Sequence, residues 1–411
     1  MTESRAARAL EWVLIGALVL VYAASFGIKS PVNGLGDVYE LFDQDSRYII
    51  QSLAANVRYE WNPQNHLLYH WLTENGFHLW QRGWGGGTAS AFLFLKLFTA
   101  ATGLWFLLTL RVLLRELGLD IALRLALLPL AGLSLAVWFH FSAFETSALT
   151  MPLLLLFVIA FLRRVRHGDG SPANHLLLIG SLLLAFWTRS DQWRLPLAAG
   201  LALLLPGTRE ARRGLLLDLV LFAVLLPIGY CLIASSYFHL PLVQAVHKLI
   251  ERHDRADLAP RLMTRRNLTP RDFLRVGRAN ALYSFIMPIA DHPSPFSAKL
   301  GGLLHSPLSV LALLGVGALL VTTALRSLRR LVSGDPLHVV LWASWIGGWV
   351  FYTWFNPHEP FLWILQFGVL EIVALADTWS SRRSAANVAP LVVVAVLVAL
   401  HNAVFFWLRY R

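Results

Sequence analysis

Several short polar clusters in this sequence have the residue types and spacing that chemistry needs. The first is Phe42-Asp43-Gln44-Asp45-Ser46-Arg47-Tyr48. A carboxylate here can act as a general base toward a hydroxyl. Asp43-Gln44-Asp45 is also Asp-x-Asp, whose oxygens suit a divalent cation. A plainer role for Asp45 is to cap the surface helix predicted by the spacing of Tyr48, Ile49, Ser52 and Leu53. The second cluster is Glu60 to His70. Asn62-Pro63 predicts a turn and then a short helix, with His66 and His70 on one face and Tyr69 between them. Zinc can use two histidines so spaced, but the glutamate of His-Glu-x-x-His is absent. Hydrogen bonding to a polar substrate and interfacial packing are the other roles. A third group comprises Glu145, then Arg189, Asp191 and Arg194. Arg189 and Asp191 can simply pair. Otherwise Arg189 or Arg194 can hold a phosphate by charge-assisted hydrogen bonds. The last is His358-Glu359 in Asn356-Pro357-His358-Glu359-Pro360.

The elements that must position these residues are apolar. Of 411 residues, 56% are hydrophobic and 14% charged, against about a quarter charged in ordinary soluble domains. That composition excludes a soluble enzyme, a disordered chain and a disulfide-rich module. One cysteine, Cys231, allows no intramolecular disulfide. The net charge of +11 is mostly arginine, and in an apolar chain it points to lipid head groups or a phosphate-bearing substrate rather than nucleic acid. Apolar stretches near 12–28, 90–110, 121–141, 146–162, 174–189, 193–206, 214–236, 307–325, 337–355, 361–376 and 388–408 are candidates to cross a hydrocarbon core of about 30 Å. The expected fold is therefore an all-α polytopic membrane protein with about eleven transmembrane helices (ten to twelve). Pro129, Pro152 and Pro227 are expected to kink spans rather than end them.

The positive-inside rule orients the bundle. Arg111 and Arg115, Arg163 to Arg166, Arg209 to Arg213, Arg326 to Arg330, and Arg382 and Arg383 fall on the inner side. Two long segments, 29–89 and 237–306, then lie outside, and both are expected to carry surface helices. The second is basic, and Arg271, Arg275 and Arg278 share one helix face that suits anionic head groups. Every polar cluster above falls on the outer face. Within spans, Arg124 and Asp218 are close enough to the inner ends to snorkel, and Glu371 should pair within the bundle. Gly83 to Gly87 lacks the Gly-Lys-Ser/Thr ending of a P-loop and reads as a flexible connector.

The order of these features resembles the GT-C superfamily, integral-membrane glycosyltransferases that use polyprenyl-phosphate-linked sugars. Asp45-Ser46-Arg47-Tyr48 and Asn65-His66-Leu67-Leu68-Tyr69 stand where the common bacterial pattern has Asp-Glu-x-x-Tyr and His-Pro-Pro-Leu-Tyr. Ser46 replaces the usual Glu, and the Pro pair is missing. Ser142-Ala143-Phe144-Glu145 joins two spans where the family often has a Glu. Trp187-Thr188-Arg189-Ser190-Asp191 is similar to Leu-x-Arg-Pro-Glu, and the His358-Glu359 loop falls where related enzymes line the donor site. The resemblance implies a single domain over residues 1–411, with Asp45 or Asp43 as catalytic base and a possible divalent cation at that pair. His66, Tyr69, Glu145, Arg189, Asp191, Arg194, His358 and Glu359 would bind substrate. Implied partners are a polyprenyl-phosphate sugar, a glycan, lipid or protein acceptor, and membrane lipids, while the excess of arginine over lysine points to a bacterial inner membrane. The alternative is a transporter or lipid-linked-glycan flippase, which would show paired repeats; no internal repeat is visible.

Overall fold

A computed structural model describes residues 4–25, 46–57, 66–142, 146–254, 268–286, 306–355, 364–380 and 385–410. Among them every regular element is helical. In chain order these are α1 (Arg5–Ser25), α2 (Ser46–Ala54), α3 (Leu67–Trp84), α4 (Thr88–Glu116), α5 (Ile121–Gly132), α6 (Leu135–His140), α7 (Thr150–Arg166) and α8 (Pro172–Thr188). There follow α9 (Arg194–Ala202), α10 (Arg212–Phe238), α11 (Leu242–Asp254), α12 (Pro270–Leu282), α13 (Pro307–Val332), α14 (Pro336–Phe355), α15 (Ile364–Ser380) and α16 (Ala385–Tyr410). Single 3-10 turns, Thr146–Leu149 and Ser190–Trp193, precede α7 and α9.

Among the described residues, five helical stretches are long and apolar enough to cross a membrane: α1, α4, Thr146–Arg166, α10 and α13. Their outward faces are apolar as well. On α10, Leu216, Leu217, Val220, Val224, Ile228 and Leu232 are all exposed. A run of that kind needs lipid, because water would leave it uncovered. The chain is an integral membrane protein. Thr146–Arg166 is the central element, its side chains buried on nearly every side. It packs on α4 and α8, while α5 packs on α16 and α9 on α14.

The stretch 121–141 is not one kinked helix. Leu133 closes α5 on the carbonyl of Pro129, and Ser134 opens α6 with an extended backbone. The break frees two amides, and Leu135 and Ala136 donate them to Phe285 and Ser284 just beyond α12. The helix after Asn62-Pro63 is also longer than expected, at 18 residues. It meets α4 at a three-residue turn in which Gly85 (φ 79°) and Gly87 (φ 94°) take left-handed backbone, a region costly for residues with a Cβ. The glycine-rich stretch is thus a defined hairpin, held by Ser90 donating to the carbonyl of Gly85 at 2.7 Å.

One end of the bundle is tied by arginine. Glu11 on α1 accepts from Arg111 (2.7 Å) and Arg124 (2.9 Å). Arg164 reaches Asp218 at 3.1 Å, and His175 binds the same carboxylate. Arg166 bridges Asp377 (2.6 Å) and Asp335 (3.0 Å), and Arg330 joins Asp377. These pairs gather the first turns of α1, α5, α8, α10 and α14 beside the last turns of α4, α7, α13 and α15. That alternation is what the charge pattern predicts for neighbouring spans. Two expectations change. Arg124 and Asp218 do not snorkel: each is buried, 2% and 0% exposed, because each has an opposite charge within reach. Buried charges persist only when so paired.

Candidate functional site

The opposite end of the bundle holds the polar cluster. Helix α8 ends at Thr188, and Arg189 leaves it with extended backbone (φ −148°, ψ 114°). The 3-10 turn that follows faces Asp191 toward α14 and α15. Its carboxylate accepts from Arg189 Nη2 at 2.6 Å, Gln192 Nε2 at 2.8 Å and Tyr352 Oη at 2.6 Å. Gln366 Nε2 lies 3.3 Å away. Burial alone would push the Asp191 carboxyl up. The charges of Arg189 and then Arg194, with the Arg189 and Tyr352 hydrogen bonds, hold it well below the usual range.

Arg194 is the unusual member. It opens α9 and is 2% exposed, yet none of its guanidinium nitrogens has a hydrogen-bond partner. The group lies against aromatic faces, 5.7 Å from the Tyr352 ring centre and 5.6 Å from that of Phe367. Gly348 makes the room: a Cβ there would stand 2.2 Å from Arg194 Nη1. Two guanidinium groups against one carboxylate leave a net positive charge in a water-poor pocket. A buried charge with no compensating partner costs roughly 3–5 kcal/mol.

His66 stands at the start of α3 beside this group. Burial, and next the charge of Arg189, lower its pKa to about 3, against the opposing effects of Asp191 and the Thr188 backbone. It is a neutral imidazole at any physiological pH, and its Nδ1 has no hydrogen-bond partner. His70 lies one turn on, with ring centres 6.2 Å apart and edge-on.

The structure brings His66, Arg189, Asp191 and Arg194 together. Arg189 is paired with Asp191, and the Arg194 guanidinium has no hydrogen-bond partner. Tyr69 packs edge-on to His70, with ring centres 5.7 Å apart. It joins the apolar cluster of Ile49, Ile50, Leu53, Phe77 and Leu95, edge-on to Phe98 at 6.0 Å. That cluster seats α2 on α4, as the surface-helix reading expected. Asp45 is the residue before α2 in the sequence, but Asp43, Asp45, Glu145, His358 and Glu359 lie outside the described residues. Tyr352, Gln366, Phe367 and Gly348 were missed by sequence reasoning. The available signal was an amide and a phenol inside otherwise apolar helices.

One group among the described residues could hold a metal by distance: Asp335, His338 and Asp377. Its carboxylates are already engaged by Arg166 and Arg330. Two guanidinium groups in the same shell oppose a cation, so the donor set fits an ion-pair lock rather than a metal site.

No protein-family model matches this sequence, and no curated protein does. Solved structures do. The oligosaccharyltransferase AglB from Archaeoglobus fulgidus, in complex with an inhibitory peptide and a dolichol-phosphate, aligns with 99% of this chain at a TM-score of 0.55 and 13% identity. Its apo form aligns with 97% at 0.54 and 15%. The chain spans 56% of the length of each. ArnT from Cupriavidus metallidurans aligns over 91% of this chain and 78% of its own, at 14% identity and a TM-score of 0.36, too low to bear on the fold. The AglB likeness is one of fold alone.

Proposed function

We propose that this protein is a membrane glycosyltransferase that moves a sugar from a polyprenyl-phosphate donor to an acceptor hydroxyl on the outer face. The observation that carries this reading is Arg194, a buried guanidinium with unspent donors beside a neutral His66 and a fixed Arg189–Asp191 pair. A lipid-linked phosphate supplies the missing anion. The fold likeness supports the same reading, since AglB is a transferase solved with a lipid phosphate. In this reading the chain crosses the membrane about eleven times, with this cluster on the outer side and the arginine lock on the inner. Bacterial inner membrane is the setting that this topology fits.

In the proposed reaction the acceptor oxygen attacks the anomeric carbon. Its proton passes to Asp45 or Asp43, with Asp45 the first choice because it directly precedes the seated helix α2. The bond from the anomeric carbon to the phosphate oxygen breaks, and the electron pair leaves with the lipid phosphate, inverting the centre. Arg194 stabilises that departing charge where water is scarce. His66, as a neutral ring, offers a hydrogen bond to a sugar hydroxyl without repelling or attracting charge. Glu145, His358 and Glu359 are proposed to line the sugar and acceptor sites. A divalent cation at Asp43 and Asp45 would compete with the base role, so transfer that survives chelation would favour the base.

The direct test is binding of a polyprenyl phosphate to purified protein. Wild type should bind and Arg194→Met should not, and excess free polyprenol should not displace the phosphate from wild type. Equal binding of the phosphate by both proteins would remove Arg194 from the site.

A further inference from the structure

A second cavity, of about 240 Å³, lies between α13, α14 and α15. Its walls are Leu320, Thr323 and Ala324 from α13, Trp342 and Trp345 from α14, and Glu371 from α15. It is a cleft rather than a sealed void, because Leu320, Ala324, Trp342, Trp345 and Glu371 are all only half-buried. Glu371 is seven residues from Ile364 and nine from Ser380, about 10 Å and 14 Å along the helix at 1.5 Å per residue. The carboxyl therefore sits near mid-depth of an apolar bundle. One oxygen accepts from Trp345 Nε1 at 3.1 Å, and the other is without a hydrogen-bond partner. Among the described residues, no arginine, lysine or histidine lines the cleft. At its floor Ser327 is fixed by Trp342 Nε1 (2.9 Å) and His338 Nδ1 (2.7 Å), and His338 Nε2 is tied to Asp377 at 2.8 Å.

An ionisable group at this depth is expensive and usually marks a binding site or pathway. A cleft of this size is below the ~300–1,000 Å³ of pockets that enclose a whole drug-sized ligand, so it takes part of a chain. Its walls suit hydrocarbon. Its polar groups suit a hydroxyl, which can hydrogen-bond with Glu371 whether that group is charged or neutral. The lack of any cation disfavours a phosphate and separates this cleft from the Arg194 site. We infer that the Glu371 cleft binds an uncharged lipid alcohol, with its hydroxyl on Glu371 and its chain between α13 and α14. This goes beyond the transferase reading and does not depend on it.

The test uses full-length protein in lipid nanodiscs and photoreactive hexadecanol, with labelled peptides identified by mass spectrometry. Label is expected within residues 320–327 or 341–345. Excess hexadecanol should displace it, while hexadecane and hexadecyl phosphate should leave most of it in place. Ala324→Trp, which fills the cleft, and Glu371→Leu, which removes the carboxyl, should each cut labelling at least tenfold. Glu371→Gln, whose amide still bonds a hydroxyl, should retain it. Competition on the wild type needs no variant to fold. Displacement by hexadecane as effective as by hexadecanol would reduce the cleft to a lipid-chain contact and overturn the proposal. Equal displacement by hexadecyl phosphate would assign it to a phosphate-bearing lipid, and label elsewhere would remove the site. Polyprenyl-phosphate binding at Arg194 is read separately, so either claim can fail alone.

Discussion

At the scale of single residues, Arg194 separates binding from folding. A structural arginine destabilises when removed, because its partners are left unpaired. Arg194 has no hydrogen-bond partner to leave. Arg194→Met should therefore keep or raise the melting temperature while lowering kcat by about 10²–10³, the usual loss on removing one stabiliser of transition-state charge. Asp191→Asn should do the reverse and destabilise by roughly 3–5 kcal/mol, since it strands two buried cations; thermal unfolding measures both. Acid sensitivity divides in the same way. The Asp191 carboxyl is depressed, so its stabilisation is complete above about pH 4 and is lost as pH falls below that. His66 is depressed to about 3. The unfolded chain protonates it below about pH 6.5 and the folded chain does not, so stability should fall as pH drops from 6.5 toward 3. His66→Gln should flatten part of that slope in melting curves taken across the range. Arg189, Asp191, Arg194 and His66 were legible in sequence because charge is rare in such a chain. Tyr352 and Gln366 were not, because their approach to Asp191 depends on how α14 and α15 pack against the turn after α8.

At the scale of elements, the site depends on close approaches that composition does not reveal. A Cβ on Gly348 in α14 would stand 2.2 Å from Arg194 Nη1 and 2.9 Å from the Phe367 ring. Gly348→Ala should displace the guanidinium and lower donor affinity by tenfold or more with the bundle intact; lipid-phosphate binding and circular dichroism together check this. That the chain is a bundle of apolar helices was readable from its apolar runs, and five of those helices are long enough to cross a membrane among the described residues. The interruption at Leu133-Ser134 was not, since the amides it frees find their acceptors at residues 284 and 285, far away in sequence. Surface helix α2 was readable from the spacing of Ile49 and Leu53, and its seat on α4 follows from burying that face.

For the whole molecule, charge is divided between two ends. One is a lock in which Glu11, Asp218 and Asp377 neutralise arginines that sequence reading treats as loop charges. Glu11→Gln should cost roughly 3–5 kcal/mol by leaving Arg124 buried without its carboxylate, without changing donor affinity in the protein that still folds. The other end keeps a cation unspent, and that asymmetry is the physical basis for placing the chemistry there. The most direct test is sugar transfer by the purified protein, using a panel of radiolabelled polyprenyl-phosphate sugars, with released lipid phosphate as readout. Turnover of a donor is predicted, abolished in Asp45→Asn or Asp43→Asn and cut by about 10²–10³ in Arg194→Met. Protein that stays folded yet neither binds nor turns over any lipid-phosphate donor would contradict the account and move the weight to a transporter.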